Sequence, residues 1–243
     1  MLICNRAGAL PAVLVVAGLL AGQARGATPQ QVEASIKSAK EFLYKLQGPD
    51  GSWEVGARVD EKEKEFHSRA AGAQWGGMTA VATYALLAAG ENPTDPRIRS
   101  AVEFLKKADM IGTYAVAMRC QVWSMLPPTA DIREAAKKAL AALLAAPYAR
   151  GPNRGFYNYF LKRYDKPEID WYDHSVSQLA VLGVWACAQL NLEVPVNYWS
   201  AVEKAWKEHQ YDDGSWAYIY KHKKGDWGTG RPALTAAGIA TLF

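Results

Sequence analysis

The chain is poor in the residues that staple or metallate small proteins. Its 243 residues include three cysteines and four histidines. Cys4 precedes an apolar run, so it is not placed for lipidation. Cys120 and Cys187 stand singly in apolar helical stretches and read as buried free thiols, and no zinc-type spacing occurs. His67 falls in a charged linker, His209 at a helix end and His222 in a basic turn, so all three are expected at the surface. No metal and no cofactor is therefore expected. Charge of one sign is lacking too. The 28 Lys and Arg against 24 Asp and Glu give +4, and removing a leader that holds Arg6, Arg25 and no acid leaves 26 against 24, or +2. A nucleic-acid partner needs a concentrated basic patch. The cluster Lys221-His222-Lys223-Lys224 runs into Gly225 and reads as a solvated turn. A Gly-rich phosphate loop, a Gly-x-Ser-x-Gly elbow and a paired-carboxylate site are all missing.

Long apolar runs are scarce as well. Ala7 to Leu20 is apolar but holds Pro11 and Gly18, and it is short for a membrane span, which needs about 20 residues. Arg6 precedes it and Ala24-Arg25-Gly26-Ala27 follows, the pattern of a secretory signal cut near Ala24 to Gly26. Residues 1–26 are thus expected to be a signal peptide, with a domain over 27–243 in an exported compartment. An uncleaved anchor is the alternative.

What is present is a repeat. Gln47-Gly-Pro-Asp50-Gly51-Ser52-Trp53 recurs as Gln210-Tyr-Asp-Asp213-Gly214-Ser215-Trp216, every defining residue displaced by the same 163 positions. Each copy ends an amphipathic stretch of 3.6-residue period: Gln30 to Leu46, with Val32, Ile36, Phe42 and Leu43 on one stripe, and Val196 to His209. Weaker copies lie between. Ala101-Val-Glu-Phe-Leu105 echoes Ala39-Lys-Glu-Phe-Leu43, and Ile132 to Ala146 leads into Arg154-Gly155-Phe156-Tyr157, where aromatics stand in for Trp. More apolar helices follow each: Gly77 to Ala89, Thr113 to Leu126, Asp173 to Leu190, and one from Pro232. Four amphipathic helices alternating with four apolar ones predict an all-α repeat architecture with apolar helices inside and amphipathic helices outside.

At these repeats the chain, from about Gln30 to Phe243, resembles the terpenoid cyclase and protein prenyltransferase superfamily, and squalene–hopene cyclases in particular. The resemblance implies an α/α toroid in which so-called QW motifs tie outer-helix ends to neighbouring turns. It gives Gln47, Asp50, Gly51, Trp53, Gln210, Asp213, Gly214 and Trp216 a structural role. The physical logic agrees: Gln can satisfy orphan groups at a helix end, Asp-Gly suits a tight turn, and Trp can fold back over the Gln amide.

A second stretch, Asp170-Trp-Tyr-Asp173-His-Ser-Val-Ser-Gln-Leu179-Ala180, is similar to the Asp-x-Asp-Asp-Thr-Ala segment of those cyclases, which opens an inner helix at the cavity mouth. Tyr172 takes the place of the proton-donating Asp. A phenol, with its reference pKa of about 10, is a far weaker acid than a carboxylic acid. Asp170 and Asp173 are the remaining acids. Asp173 either stays protonated and faces inward or caps the helix that follows. Trp171, Tyr172, His174 and Trp227 are the candidate ligand contacts, whereas Tyr84, Trp123 and Trp185 are expected to be ordinary inner-layer packing. Zinc ligation of the prenyltransferase kind fails on distance, since Cys187 lies thirteen residues beyond His174, roughly 20 Å along a helix. A thioester segment of the kind carried by complement-like toroids is absent.

Two functions follow. One is a non-catalytic binding or scaffold domain for an apolar or isoprenoid-like ligand, a peptide or a partner protein. The other is a cyclase-like enzyme with Asp170 and Asp173 as acid pair. Four helix pairs against the superfamily's six, and an apolar last helix ending at Phe243, also predict a partial or open barrel that self-associates or continues in a longer protein.

Overall fold

Residues 26–58, 74–151, 153–161, 172–219 and 228–243 are described in the computed structural model of the protein. They form eight α-helices: α1 Pro29–Leu46, α2 Gly77–Ala88, α3 Pro96–Lys107, α4 Thr113–Ser124, α5 Ala130–Ala145, α6 His174–Gln189, α7 Val196–Glu208 and α8 Pro232–Leu242. Among the described residues there is no strand, only one isolated antiparallel bridge between Gly112 and Phe160. The expected all-α class therefore holds. The chain divides into two compact units, Met1–Ala39 and Lys40–Phe243, and α1 runs through the division. In the first unit a reciprocal capping box opens α1: Thr28 N donates to Gln31 Oε1 at 2.8 Å and Gln31 N to Thr28 Oγ1 at 3.2 Å.

In the second unit the apolar helices pack on one another in chain order, α2 on α4, α4 on α6 and α6 on α8. The amphipathic helices cover them, with α3 against α2, α5 against α4 and α6, and α7 against α8. This follows from composition: a helix apolar nearly all round gains stability only with neighbours on several sides. The packing is consistent with part of an α/α toroid. Starts and stops are written locally. Asp95 caps α3 by accepting from Arg97 N at 2.8 Å, with Pro96 at the first helical position.

The two heptads make the same bonds. Trp53 Nε1 donates to Leu43 O at 2.7 Å, and Trp216 Nε1 to Trp206 O at 2.9 Å, so each indole satisfies a carbonyl in the last turn of the preceding helix. Gln47 Nε2 donates to Gly51 O and Gln210 Nε2 to Gly214 O, at 3.0 and 2.9 Å. Gly51 and Gly214 sit at φ of 85° and 83°, where a Cβ is strained. Each Trp N then donates to a threonine of the next apolar helix, Thr79 Oγ1 at 3.0 Å or Thr235 Oγ1 at 3.2 Å. Indole and amide have exchanged the roles expected of them: Trp caps the helix, and Gln fastens the turn.

Tyr157 does the same work where the heptad has decayed. Its hydroxyl donates to Leu143 O, near the end of α5, at 3.1 Å, its N donates to Ser177 Oγ of α6 at 3.0 Å, and Gly155 before it has φ 91°. After α3, where the aromatic is lost altogether, Arg119 of α4 donates through Nη1 to Leu105 O and Ala108 O instead.

Helices α4 and α6 approach to backbone contact. A Cβ on Gly183 would lie 2.8 Å from Ala117 Cα and 3.1 Å from Leu143 Cδ1. In an isolated helix Gly→Ala is favourable by about 1 kcal/mol, but overpacking a core costs about 1–3 kcal/mol. The atom met is backbone, which cannot swing aside, so the second effect wins. Gly183→Ala is expected to lower the urea midpoint. A midpoint at or above that of the parent would show that the two backbones do not touch.

Candidate functional site

Asp173 sits at the N-cap of α6, wholly buried. Its Oδ1 accepts from Val176 N at 2.7 Å and from Ser175 Oγ at 2.8 Å, the bonds that an N-cap carboxylate offers a helix start. Its Oδ2 is buried with no hydrogen-bond partner among the described residues. A patch of hydroxyls surrounds it. Tyr114 and Ser175 are hydrogen-bonded at 2.6 Å, and Tyr159 and Tyr218 at 2.9 Å. Burial first, then the charge of Asp173, pushes the Tyr114 phenol up to about 12. Burial, Tyr218 and Asp173 in turn raise Tyr159. These phenols are therefore neutral hydrogen-bonding groups at any ordinary pH.

Tyr172 and His174 point into an aromatic cluster. The Tyr172 ring is 4% exposed, lies parallel to Phe156 at 4.4 Å, and its hydroxyl meets His209 Nδ1 at 2.7 Å. His209 stacks on the same phenylalanine at 4.6 Å, so the surface position expected for it is corrected: it is buried in the core. His174 is held edge-on by Phe156, and its Nδ1 lies 3.3 Å from Tyr218 O. Its Nε2 is buried without a partner. Burial, and secondarily the neighbouring His209, lowers its pKa to about 4. Asp170, Trp171 and Trp227, the other candidates read from the sequence, lie outside the described residues.

A cavity of about 1420 Å³ lies elsewhere. Its walls come from the apolar faces of α2 and α4, through Met78, Val81 and Met118, and from the first heptad turn, through Trp53 and Val55. Gln74 frames one end by donating to Tyr159 O at 3.0 Å and accepting from Ala115 N at 3.2 Å. Glu54, also on the wall, accepts from Thr79 N and Thr79 Oγ1, both at 2.8 Å, and so supports the start of α2. Tyr114 belongs to both places: its ring lines the cavity and its hydroxyl reaches Ser175 beside Asp173.

Sequence reasoning missed this wall. Met78, Val81 and Ala85 are exposed at i, i+3 and i+7 on α2, a stripe invisible in a helix apolar on every side. Trp185 of α6, expected to be inner packing, is half exposed, whereas Trp123 is fully buried. Among the described residues no three His, Cys, Asp or Glu are placed to share a metal ion, and no helix is long and apolar enough to cross a membrane. Compared with family models, with curated proteins and with solved structures, the chain returns no match in any of the three.

Proposed function

We propose that the chain is an exported, toroid-type binding domain whose inner helices hold an apolar, isoprenoid-like ligand, and that it does not cyclise it. The observation that carries this reading is the cavity: about 1420 Å³, walled by Met78, Val81, Met118, Trp53 and Val55, large enough for a ligand of several isoprene units. It reaches the N-terminal ends of α2 and α4 at Gly77 and Tyr114. An acid that could protonate an alkene is not among its described lining residues in a buried, unengaged form: Glu54 is bonded to Thr79, and Asp50 accepts from Ser52 N at 3.0 Å.

The cyclase reading retains one supporting observation, the buried Oδ2 of Asp173. Incubation with squalene and shorter polyprenyl compounds, followed by mass spectrometry, separates the two. Retained, unaltered ligand is expected; a cyclised product would establish the enzyme. Tyr172→Asp, which would put a carboxyl where the cyclases carry their proton donor, would bury that carboxylate against Phe156.

Val81→Glu is the sharper test. Val81 is exposed on α2 and faces the cavity, so the variant is expected to fold like the parent. Placing a carboxylate against an apolar ligand is expected to weaken retention about tenfold or more, roughly 1.4 kcal/mol. Undiminished retention by a folded Val81→Glu protein would remove the cavity from the reading.

A further inference from the structure

Cys120 of α4 and Cys187 of α6 are free thiols, both wholly buried. They are 67 positions apart in the chain, yet the packing brings their side chains within hydrogen-bonding reach of each other. Cys187 Sγ also lies 3.8 Å from Ala136 O of α5. The backbone supports the same juxtaposition. One turn earlier on each helix, a Cβ on Gly183 would be 2.8 Å from Ala117 Cα. Helix axes usually stay about 8–10 Å apart, and a disulfide needs Cα atoms about 4.4–6.8 Å apart. Small residues at 117 and 183 let α4 and α6 approach to backbone contact one turn before the two cysteines.

We propose that Cys120 and Cys187 form a disulfide that cross-links α4 to α6 when the chain folds in the presence of an oxidising thiol–disulfide couple. One cysteine thiolate attacks a small disulfide such as oxidised glutathione, forming a mixed disulfide and expelling one glutathione thiolate. The second cysteine thiolate attacks the protein sulfur of that mixed disulfide and expels the other. Two protein thiols are oxidised by two electrons, their protons go to solvent or to the departing thiolates, and one oxidised glutathione becomes two reduced ones.

Timing follows from burial. In the folded protein the neighbouring thiol, and then burial, raises the Cys120 pKa well above its ordinary value, so little thiolate exists and no oxidant reaches it. The bridge therefore closes while α4 and α6 are docking, when the two thiols have been brought together but are not yet sealed from solvent, and the same burial afterwards shields it from reductant.

The test folds the full chain from denaturant in a glutathione redox buffer, and in parallel with dithiothreitol. Free thiols are then blocked with N-ethylmaleimide under denaturing conditions, and the digest is read by mass spectrometry. The expected result is a linked, unblocked Cys120–Cys187 peptide pair with Cys4 blocked, in a protein of full helical circular dichroism. It is expected to melt at a higher temperature than the reduced protein, and the difference should vanish in Cys187→Ala. Maleimide on both Cys120 and Cys187 in the oxidised sample would overturn the proposal. So would a Cys120–Cys187 link found only in material that has lost its helical signal, because the native packing would then not be what joins them.

Discussion

Trp216→Ala is expected to destabilise the protein by about 3–5 kcal/mol, the range for truncating a large buried aromatic. Three losses combine. The side chain is 2% exposed, so its removal opens a cavity in the core. Its ring lies against Gly238 of α8, where a Cβ would come within 2.5 Å of Cε3, and 6.1 Å from the Trp206 ring. No side chain at 238 can expand into the space. Its Nε1 also serves Trp206 O at the end of α7, and a buried acceptor left without a donor costs about 1–3 kcal/mol, which overlaps the figure above. Whole-domain stabilities are about 5–15 kcal/mol, so the variant stands near the limit of folding. Trp216→Phe keeps most of the volume and loses the donor, and an intermediate loss is expected. Trp53→Ala should behave alike but more mildly, since Trp53 is 7% exposed. Urea unfolding followed by circular dichroism reads all three. Unchanged midpoints for both alanine variants would mean that the indoles do not tie the helix ends to the turns.

Stability is also expected to fall as pH drops from about 6.5 to about 4, through His174. Its folded pKa is about 4 because burial removes water from the imidazolium and His209 adds a like charge. An unfolded histidine titrates near 6.5. Between the two values the unfolded chain binds a proton that the folded chain refuses, so the contribution is fully present above about pH 6.5 and lost as pH falls towards 4. A shift of that size corresponds to about 3 kcal/mol. Carboxylates complicate any single profile; Asp95, held at about 2 by Arg97, loses its contribution below this window. The comparison is therefore between the parent and His174→Phe. Phenylalanine keeps the ring against Phe156 and Trp206 and gives up the contact with Tyr218 O. A lower starting stability of the variant at pH 7 does not affect the test, which is the difference in slope. Parallel stability curves between pH 4 and 6.5 would show that His174 is not the group that titrates.

Helices and their order were legible in the sequence alone. Gln30 to Leu46 was expected where Pro29–Leu46 forms, Asp173 to Leu190 where His174–Gln189 forms, and Val196 to His209 where Val196–Glu208 forms. Apolar periodicity, caps and Asp-Gly turns act over one or two turns of chain, so a window of residues contains the whole cause. The heptads belong to the same class, since Gln47 to Gly51 and Gln210 to Gly214 are bonds four residues long. Everything read as a site depended on which residues meet across the fold. Tyr157 replaces a Trp because its hydroxyl reaches Leu143 O. Asp173 turns its carboxylate onto its own helix, Tyr172 finds His209 across 37 residues, and the cavity opens where α2 and α4 present Val81 and Met118. Helix periodicity says that a face must be covered but not by what. That choice is made by shape complementarity between segments far apart in the chain, such as Ala117 against Gly183, and it exists only once the helices have packed.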